Sequence, residues 1–486
     1  MAWDEQGLID RQREKELLSA LLDKPAASLV LVTGRRRIGK TYLLTRTWPR
    51  DDTFLFTATN TTPEQNRRQL ILDLAMWAGD DLHPDDYPTW RSVFDLLWRT
   101  RQQQPLVVIL DEFQYLASTE KGLAEVASAM NATFERMRAD RPLVVVASGS
   151  AVSTLEALVA GGSPLYGRLA THLRLGPLSA YDAATFIPKW HPRAKAAGYG
   201  ILGGTPAYWA ALDPKADLRA NAASLLLARE GRLRLQLDTL LAQEEGLGDT
   251  AAYTGIIRAI ASGATTRSRI AGSTGLKNDH ALVRRLDTLT RLDFVEETRN
   301  LEAPANAPVR YRITDPALRF HHAFVSPNAS LLERTDPIEA YDVMVAPHLD
   351  TYMGLMFEQF VAPTYDRLRE ARGLPMVSTW SRWEGQDRGA QSLEIDVVAP
   401  LLSGPVMTGA VKWNRKPLGA DVFHHHIESV RRAAGAGLRW AHAASGGDAP
   451  LLFLAAGGYD ESFMTAARAH PGEVLAWTLE DVYVTV

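Results

Sequence analysis

The sequence predicts a multidomain α/β protein, and three observations lead to this fold class. Between residues 29 and 146, short apolar runs typical of buried parallel strands alternate with segments of helical spacing. Between residues 253 and 313, three helical segments precede two β-like runs. From residue 353, a further helix and further apolar runs indicate a last α/β unit. A chain of 486 residues is long enough for several domains.

The order of these elements sets the expected domain boundaries. Three helices and a hairpin are the layout of a winged helix-turn-helix, here placed after the α/β core. The predicted strands are 29–32, 54–57, 106–110, 143–146, 294–297, 309–313, 393–399, 406–413 and 451–455. The predicted helices are 8–22, 41–47, 62–101 with a break at 83–88, 122–138, 253–260, 267–271, 280–292 and 353–370. The predicted divisions are a core over 1–178, a helical lid over 179–248, a winged helix over 249–325, a linker over 326–345 and an α/β unit over 346–486.

The composition excludes several kinds of chemistry. Cysteine is absent, so disulfides, thiolate catalysis and cysteine-ligated metal sites are ruled out. No apolar run reaches the ~18 residues of a membrane span, and the charged N-terminus does not resemble a signal peptide. We therefore expect a cytoplasmic protein with no membrane partner. The formal net charge of -4 argues against a uniformly basic surface for nucleic acid.

Residues 34–41, GRRRIGKT, fit the phosphate-loop pattern G-x-x-x-x-G-K-[ST] in full. The octet follows a predicted strand and opens a predicted helix, which is the context of a phosphate-binding loop. Its glycines let backbone amides turn toward phosphate oxygens, Lys40 supplies a cation for the β- and γ-phosphates, and Thr41 offers a hydroxyl to Mg²⁺. We therefore expect ATP and Mg²⁺ as ligands. The expected nucleotide contacts are Gly34, Ile38, Gly39, Lys40, Thr41 and Tyr42.

Two acidic residues follow the apolar run 106–110. A carboxylate at the end of a central strand can hold Mg²⁺, and a neighbouring carboxylate can polarise the attacking water. These roles predict Asp111 as the metal-side carboxylate and Glu112 as the general base.

Two further polar residues are candidates for contact with the γ-phosphate. Ser150 follows the predicted strand 143–146, at a position where a polar side chain can sense that phosphate. Arg168 is either a cation for the transferring phosphate, in cis or in trans, or a surface arginine. Action in trans would require a homo-oligomer. The candidate catalytic set is Glu112, Lys40, Arg168 and Ser150.

Several motifs in chain order resemble an archaeal-type P-loop ATPase family of the AAA+/STAND group. They are LIDRQREKELL, GRRRIGKT, ILDEFQYL, ASGS, SPLYGR, GGTPAYW, YRITDPALRF, GLMFEQF and EIDVVA followed by VKW. The resemblance covers nearly the whole chain and implies an AAA+-type core, a lid, a winged helix and a C-terminal nuclease-like domain of unknown function. It also implies that Pro206, in the Gly-Thr-Pro turn of the lid, contacts the nucleotide.

The predicted winged helix is locally basic. Residues 252–312 contain ten Lys and Arg residues against six Asp and Glu residues. Such a balance suits contacts to DNA phosphates, with Lys277, Arg284 and Arg285 on or before the expected recognition helix. The alternative is a winged helix that packs within the protein and touches no DNA.

The last unit has the residue order of a restriction-endonuclease-like site. Glu358 lies on a predicted helix, Glu394 and Asp396 share one face of a strand, and Lys412 lies on the next strand. Ala410 stands where a second strand carboxylate is expected, which weakens Mg²⁺ binding unless Glu394 reaches across. The sequence therefore favours a degenerate nuclease fold over a working one.

The run at residues 424–426, three consecutive histidines, suggests a metal site at first sight. Consecutive residues of a helix point ~100° apart, so the three rings cannot converge on one ion. We expect a polar helix face.

Three functions fit this sequence. The first is a nucleotide-driven switch or motor coupled to DNA or a protein partner. The second is an ATP-gated, metal-dependent DNA nuclease. The third is a regulatory scaffold that binds ATP and turns it over slowly.

Overall fold

The computed structural model describes residues 9, 11–23, 27–100, 104–136, 142–163, 165–244, 247–304, 307 and 309–485. The chain divides into two compact units. The first unit holds residues 1–177 and 205–207, and the second holds residues 178–204 and 208–486.

The first unit is an α/β core around a parallel sheet. Its elements are α1 (Gln12–Ser19), β1 (Ala27–Thr33), α2 (Lys40–Thr47), β2 (Thr53–Thr57), α3 (Pro63–Ala78), α4 (Trp90–Arg99), β3 (Leu106–Asp111), α5 (Glu120–Arg136), β4 (Leu143–Gly149), α6 (Val152–Ala157) and β5 (Leu169–Arg174). The five strands lie in the order β2-β3-β4-β1-β5, and every neighbouring pair is parallel. The predicted α/β class is confirmed.

The interior strand β3 shows why these residues form a covered sheet. Every residue of β3 is buried. Val107 and Ile109 pack into one apolar layer, whereas Leu106, Val108 and Leu110 pack into the layer on the opposite face. A continuous apolar run is the pattern expected of a strand with helices on both faces. The edge strand β5 escaped prediction because its residues alternate between half-buried and exposed positions.

The second unit begins with short helices and continues through three longer helices and a hairpin. Its first elements are α7 (Ala180–Ala183), α8 (Pro192–Leu202), α9 (Pro206–Trp209, whose first two residues belong to the first unit), α10 (Leu218–Ala222), α11 (Arg232–Asp238), α12 (Thr250–Ala261), α13 (Arg267–Thr274), α14 (His280–Arg291), β6 (Val295–Thr298) and β7 (Arg310–Ile313). Strands β6 and β7 pair in antiparallel register, with Val295 opposite Ile313. These positions agree with the three helices and the hairpin predicted for this segment.

The rest of the second unit is a mixed sheet with helices. Its elements are α15 (Pro316–Phe320), α16 (Ala329–Leu332), α17 (Pro337–Ala340), α18 (Leu349–Phe357), α19 (Val361–Arg369), β8 (Ser381–Gln386), β9 (Ser392–Pro400), β10 (Val406–Lys412), α20 (Ala420–Gly435), α21 (Arg439–Ala444), β11 (Leu451–Ala455), α22 (Glu461–Ala469), β12 (Val474–Thr478) and α23 (Leu479–Tyr483). The strand order is β12-β11-β10-β9-β8. The β8–β9 and β9–β10 pairs are antiparallel, and the other two pairs are parallel.

Residues 326–345, for which the sequence suggests a linker, are instead folded into helices. They comprise a 3₁₀ turn, α16, α17 and a π-helical turn at Tyr341–Val345. Leu332 and Val345 are buried there, and Glu333 forms an ion pair with Arg234. The polar residues of this stretch had suggested a linker, but its few apolar side chains are enough to pack short helices onto the unit.

Candidate nucleotide site and C-terminal carboxylate cluster

The phosphate loop lies between the end of β1 and the start of α2. Gly34 has a φ of 153°, and an added Cβ there would lie 2.6 Å from the carbonyl oxygen of Leu175. Gly39 has a φ of 93°, in the region that side chains rarely adopt. Both glycines are therefore required by the backbone path, which turns the loop directly into the N-terminus of α2.

The loop residues and the end of β3 meet through a short hydrogen bond. The Thr41 hydroxyl donates to Asp111 Oδ2 at 2.5 Å. The other oxygen of Asp111 accepts bonds from the Ser148 hydroxyl and, at 3.1 Å, from the Glu112 amide. Lys40 is only 6% exposed, and its ammonium donates to the carbonyls of Gly34 at 2.9 Å and Arg35 at 3.1 Å. The predicted Lys40, Thr41 and Asp111 are thus brought together.

Glu112 lies in a backbone conformation unusual for its type. Its φ is 51° and its ψ is 46°, in the left-handed region. Its Oε2 accepts bonds from the Ser150 hydroxyl at 3.0 Å, the Ser150 amide at 3.4 Å and Gln114 Nε2 at 2.5 Å. The candidate base and the candidate sensor are therefore in direct contact. Gln114 and Ser148 were missed as site residues, although both are polar and lie inside quoted motifs, Gln114 in the turn after β3 and Ser148 near the end of β4.

The other predicted site residues of the first unit differ in burial and in the side chains that they contact. Ile38 is buried in the layer beneath the sheet, and Arg46 lies over the Tyr42 ring at 3.7 Å. The Pro206 ring lies next to Gly39, where an added Cβ would be 4.0 Å from Pro206 Cγ. Arg168 is half exposed and donates to Glu135 on α5 at 2.6 Å, so its side chain is engaged in a surface ion pair.

The three arginines of the loop are all half-buried. The sequence suggests that Arg35, Arg36 and Arg37 form a solvated or acid-paired face. Arg36 donates to the Tyr115 hydroxyl at 3.0 Å, a contact with a phenol and not with an acid. The fold brings the turn after β3 close to the loop, and this proximity cannot be inferred from local sequence.

In the second unit, three carboxylates converge at the mixed sheet. One oxygen each from Glu358, Glu394 and Asp396 lie within 4.8 Å of one another. Glu394 does reach the other two, as the sequence allowed. Burial raises the pKa of Glu358 to about 7, and the neighbouring carboxylates of Asp396 and Glu394 add to this effect while Arg382 opposes it.

Two cations from the same unit form ion pairs with this cluster. Arg382 on β8 donates to Glu358 at 3.1 Å, lies 2.9 Å from Glu384 and contacts Glu394 as well. Lys412 Nζ lies 2.8 Å from Asp396 Oδ2, which also accepts the Val411 amide at 2.9 Å. Arg382 was missed because it lies on a strand that the sequence did not reveal.

The histidine run divides between two environments on α20. His424 and His425 are exposed, as a polar face requires. His426 is buried, and its Nε2 lies 3.0 Å from the Thr408 hydroxyl, so the prediction of a polar face is wrong for this residue. The ~100° step of a helix turns the third ring into the core.

The candidate DNA contacts lie on and before α14. Lys277 and Arg284 are exposed, whereas Arg285 is half-buried and lies 3.3 Å from Asp249. The loop between β6 and β7 is attached to the C-terminal sheet. Asn300 exchanges two hydrogen bonds with the backbone of Glu384, at 2.6 and 3.1 Å, and Arg310 lies 2.9 Å from the Glu384 carboxylate. The side chains of Lys277 and Arg284 are therefore exposed to solvent, whereas the β6–β7 hairpin is bonded to β8.

The parallel sheet, the phosphate loop and the strand-end Asp-Glu pair define the first unit as an AAA-type P-loop ATPase domain. Residues 24–155 match the family model described as AAA domain. Residues 321–422 match the family described as archaea bacterial proteins of unknown function. The chain thus joins an AAA ATPase domain to the C-terminal domain of that archaeal and bacterial family. The predicted combination of a P-loop ATPase core with a C-terminal domain of unknown function is confirmed.

Individual proteins show more distant similarity. An uncharacterised protein of Methanocaldococcus jannaschii is 25% identical over 411 residues, which cover 80% of this chain and 84% of that protein. Among solved structures, the Walker-type ATPase PABY2304 of Pyrococcus abyssi has a TM-score of 0.48 and 20% identity, covering 65% of this chain and 97% of the other. The ORC2 protein of Aeropyrum pernix, in its ADPNP-ADP complexes, has a TM-score of 0.44 and 15% identity, with coverages of 69% and 96%. Within the described part of the chain, no helix is both long and apolar enough to span a membrane.

Proposed function

We propose that this protein binds and hydrolyses ATP at the phosphate loop and uses the nucleotide state as a switch or motor. The 2.5 Å bond from Thr41 to Asp111 carries this proposal. It joins the two halves of the site, one from the loop and one from β3, in the arrangement that nucleotide hydrolysis needs. The Glu112 carboxylate follows directly in the chain.

The oxygen donors at this point suit a magnesium ion. Hydroxyl and carboxylate oxygens are ligands that Mg²⁺ prefers, and Thr41 and Asp111 present one of each within hydrogen-bond distance. When bound, Mg²⁺ neutralises charge on the β- and γ-phosphates. Thr41 and Asp111 would hold it, and Lys40 would meet the same phosphates from the loop.

Glu112 is the residue that would activate water. Its proposed role is to accept a proton from the attacking water while the loop binds the phosphates. A slow regulatory scaffold would use the same binding residues with little turnover, so the rate of hydrolysis separates the two functions.

Replacement of Glu112 by glutamine tests the hydrolytic function. The amide keeps the shape of the side chain but cannot accept the proton, so we expect kcat for ATP to fall about 10²- to 10⁴-fold. Affinity for ATP should stay within about twofold because the loop is unchanged. Steady-state phosphate release and equilibrium binding of a fluorescent ATP analogue measure the two quantities.

Glu120 provides the matched control, since it is exposed in the first turn of α5. Glu120→Gln should turn over ATP like the unmodified protein. Turnover by the unmodified protein no faster than by Glu112→Gln would favour the slow scaffold over the switch.

We further propose that the second unit couples the nucleotide state to DNA through a winged helix. Exposed cations on α13, on α14 and between these two helices support this proposal. They are Arg267, Arg269, Lys277, Arg284 and Arg291. The loop of the β6–β7 hairpin, which is the wing of a winged helix, is hydrogen-bonded to β8. We therefore expect the exposed helix face to contact DNA without help from this hairpin. A protein partner on this face is the alternative.

Charge reversal at Lys277 and Arg284 tests the DNA contact. We expect Lys277→Glu/Arg284→Glu to weaken duplex binding at least about tenfold at low salt and to reduce the slope of log affinity against log salt by about two. Fluorescence anisotropy across a salt series measures both quantities. Arg431→Glu/Arg468→Glu, two exposed arginines elsewhere in the unit, makes the same change in net charge and should bind as before. Equal binding by both double variants would exclude DNA contact through α14.

For the C-terminal carboxylates, we propose a structural ion-pair cluster in a degenerate nuclease-like domain. Three converging carboxylates are the donor set of a divalent cation, and this observation favours the nuclease alternative. The cations Arg382 and Lys412 already lie among them, however, and offset part of the negative charge that would attract a metal. The donor set fits a metal by geometry, but these cations would compete with it.

A further inference from the structure

Gln114 has a buried and well-anchored position in the turn that follows β3. The 3₁₀ turn Phe113–Leu116 is fixed by the fully buried side chains of Phe113 and Leu116. Gln114 is itself only 7% exposed. Its Nε2 donates to Glu112 Oε2 at 2.5 Å. The amide is therefore held by its own turn and directed at the candidate base.

The orientation of this amide follows from chemistry. A reversed amide would place Gln114 Oε1 against the Glu112 carboxylate, and two acceptors in contact repel each other. With Nε2 toward Glu112, Oε1 is buried and has no hydrogen-bond partner within the described residues. That oxygen lies against Gly149, where an added Cβ would be 2.2 Å from it. The fold thus leaves one oxygen unpaired in order to present the donor to Glu112.

A second element donates to the same carboxylate oxygen. The Ser150 hydroxyl and amide, at 3.0 and 3.4 Å, reach Glu112 Oε2 from the end of β4. All three bonds therefore fall on Oε2, and none of the three falls on Oε1. Hydrogen bonds fix the carboxylate against rotation, which its left-handed backbone alone would not do.

We propose that Gln114 is a positioning residue for ATP hydrolysis: with Ser150 it anchors Oε2 of Glu112, so that Oε1 faces the attacking water. This inference rests on the proposed ATPase function. In the step, an O–H bond of water breaks and its proton goes to Glu112 Oε1. The water oxygen bonds to the γ-phosphorus as the bond to the β–γ bridging oxygen breaks, which releases ADP and phosphate. Gln114 touches the base and acts through it.

Two variants remove the donor while keeping the length of the side chain. Gln114→Met has no polar atom to donate, and Gln114→Glu brings a second carboxylate to Glu112. A hydrogen bond to a charged group contributes enough that we expect kcat to fall about 10- to 100-fold in both, with KM for ATP within about twofold. Gln69→Met, on the exposed side of α3, is the matched control and should behave like the unmodified protein.

The decisive readout is the same substitution combined with Glu112→Gln. If Gln114 acts only through the base, Gln114→Met lowers the residual rate of Glu112→Gln no further. A general structural defect would lower it again and would also weaken binding of the fluorescent ATP analogue.

The outcomes separate this inference from the function on which it rests. A protein that loses turnover with Glu112→Gln but keeps it with both Gln114 variants has a working base that needs no such anchor, and the inference is overturned. If the unmodified protein does not hydrolyse ATP at all, the proposed function itself fails.

Discussion

Replacing Lys40 by alanine will lower ATP turnover at least about 10²- to 10³-fold, the scale seen when one charge-stabilising group is removed from a transition state. Lys40 is buried at the start of α2, and its ammonium lies at the loop carbonyls of Gly34 and Arg35. Alanine removes the cation that the phosphates would meet. Unlike Glu112→Gln, this variant should also lose affinity for ATP, because the lysine would contact the phosphates in the ground state as well as in the transition state.

Phosphate release and binding of the fluorescent ATP analogue will distinguish these two defects. Lys121→Ala, an exposed lysine on α5, is the matched control and should leave both quantities unchanged. The melting temperature of Lys40→Ala should be recorded as well, since truncation leaves two loop carbonyls without their donor. Turnover within twofold of the unmodified protein would remove the phosphate loop from the mechanism.

Replacing Arg382 by alanine will destabilise the second unit and create affinity for a divalent cation. The side chain is 32% exposed and bridges three carboxylates. Loss of one partner from a fully buried ion pair costs about 3–5 kcal/mol, and solvent at Arg382 reduces this to about 2 kcal/mol. The melting temperature should fall by roughly 5 °C. Without Arg382, the cluster of Glu358, Glu394 and Asp396 has the charge and the spacing to bind Mn²⁺.

Thermal melting with and without millimolar Mn²⁺ will measure this effect. Mn²⁺ should raise the melting temperature of Arg382→Ala and leave the unmodified protein unchanged. Arg431→Ala, an exposed arginine on α20, should show neither response. The opposite result would be stabilisation of the unmodified protein by Mn²⁺ together with plasmid cleavage that Asp396→Asn removes. That outcome would make the domain a working nuclease.

Other features of the second unit follow from its packing and not from its motifs. The β6–β7 hairpin is bonded to β8 through Asn300 in its loop and Arg310 at the start of β7, and β8 also carries Arg382. The hairpin and the carboxylate cluster therefore share one strand. Glu384 contacts both arginines, Arg310 from the hairpin and Arg382 from the cluster.

By itself, the sequence determined the parts of this protein that depend on neighbouring residues. The phosphate loop is contiguous, so its glycines, lysine and threonine identify it without knowledge of the fold. The buried strands of the first sheet are also local signals, because burial on both faces requires an unbroken apolar run. Strands with mixed exposure, such as β5 and β8, gave no comparable signal and were missed.

Only the tertiary structure decided which distant side chains meet. Ser150 reaches Glu112 because β3 and β4 are neighbours in the sheet, and Arg382 joins Glu358 to Glu394 because β8 pairs with β9. Strand order and helix packing set these distances, and local periodicity carries no information about either. The sequence therefore placed the candidate base and the carboxylates in their elements. The fold determined that Gln114 contacts the candidate base and that Arg382 forms ion pairs with the carboxylates.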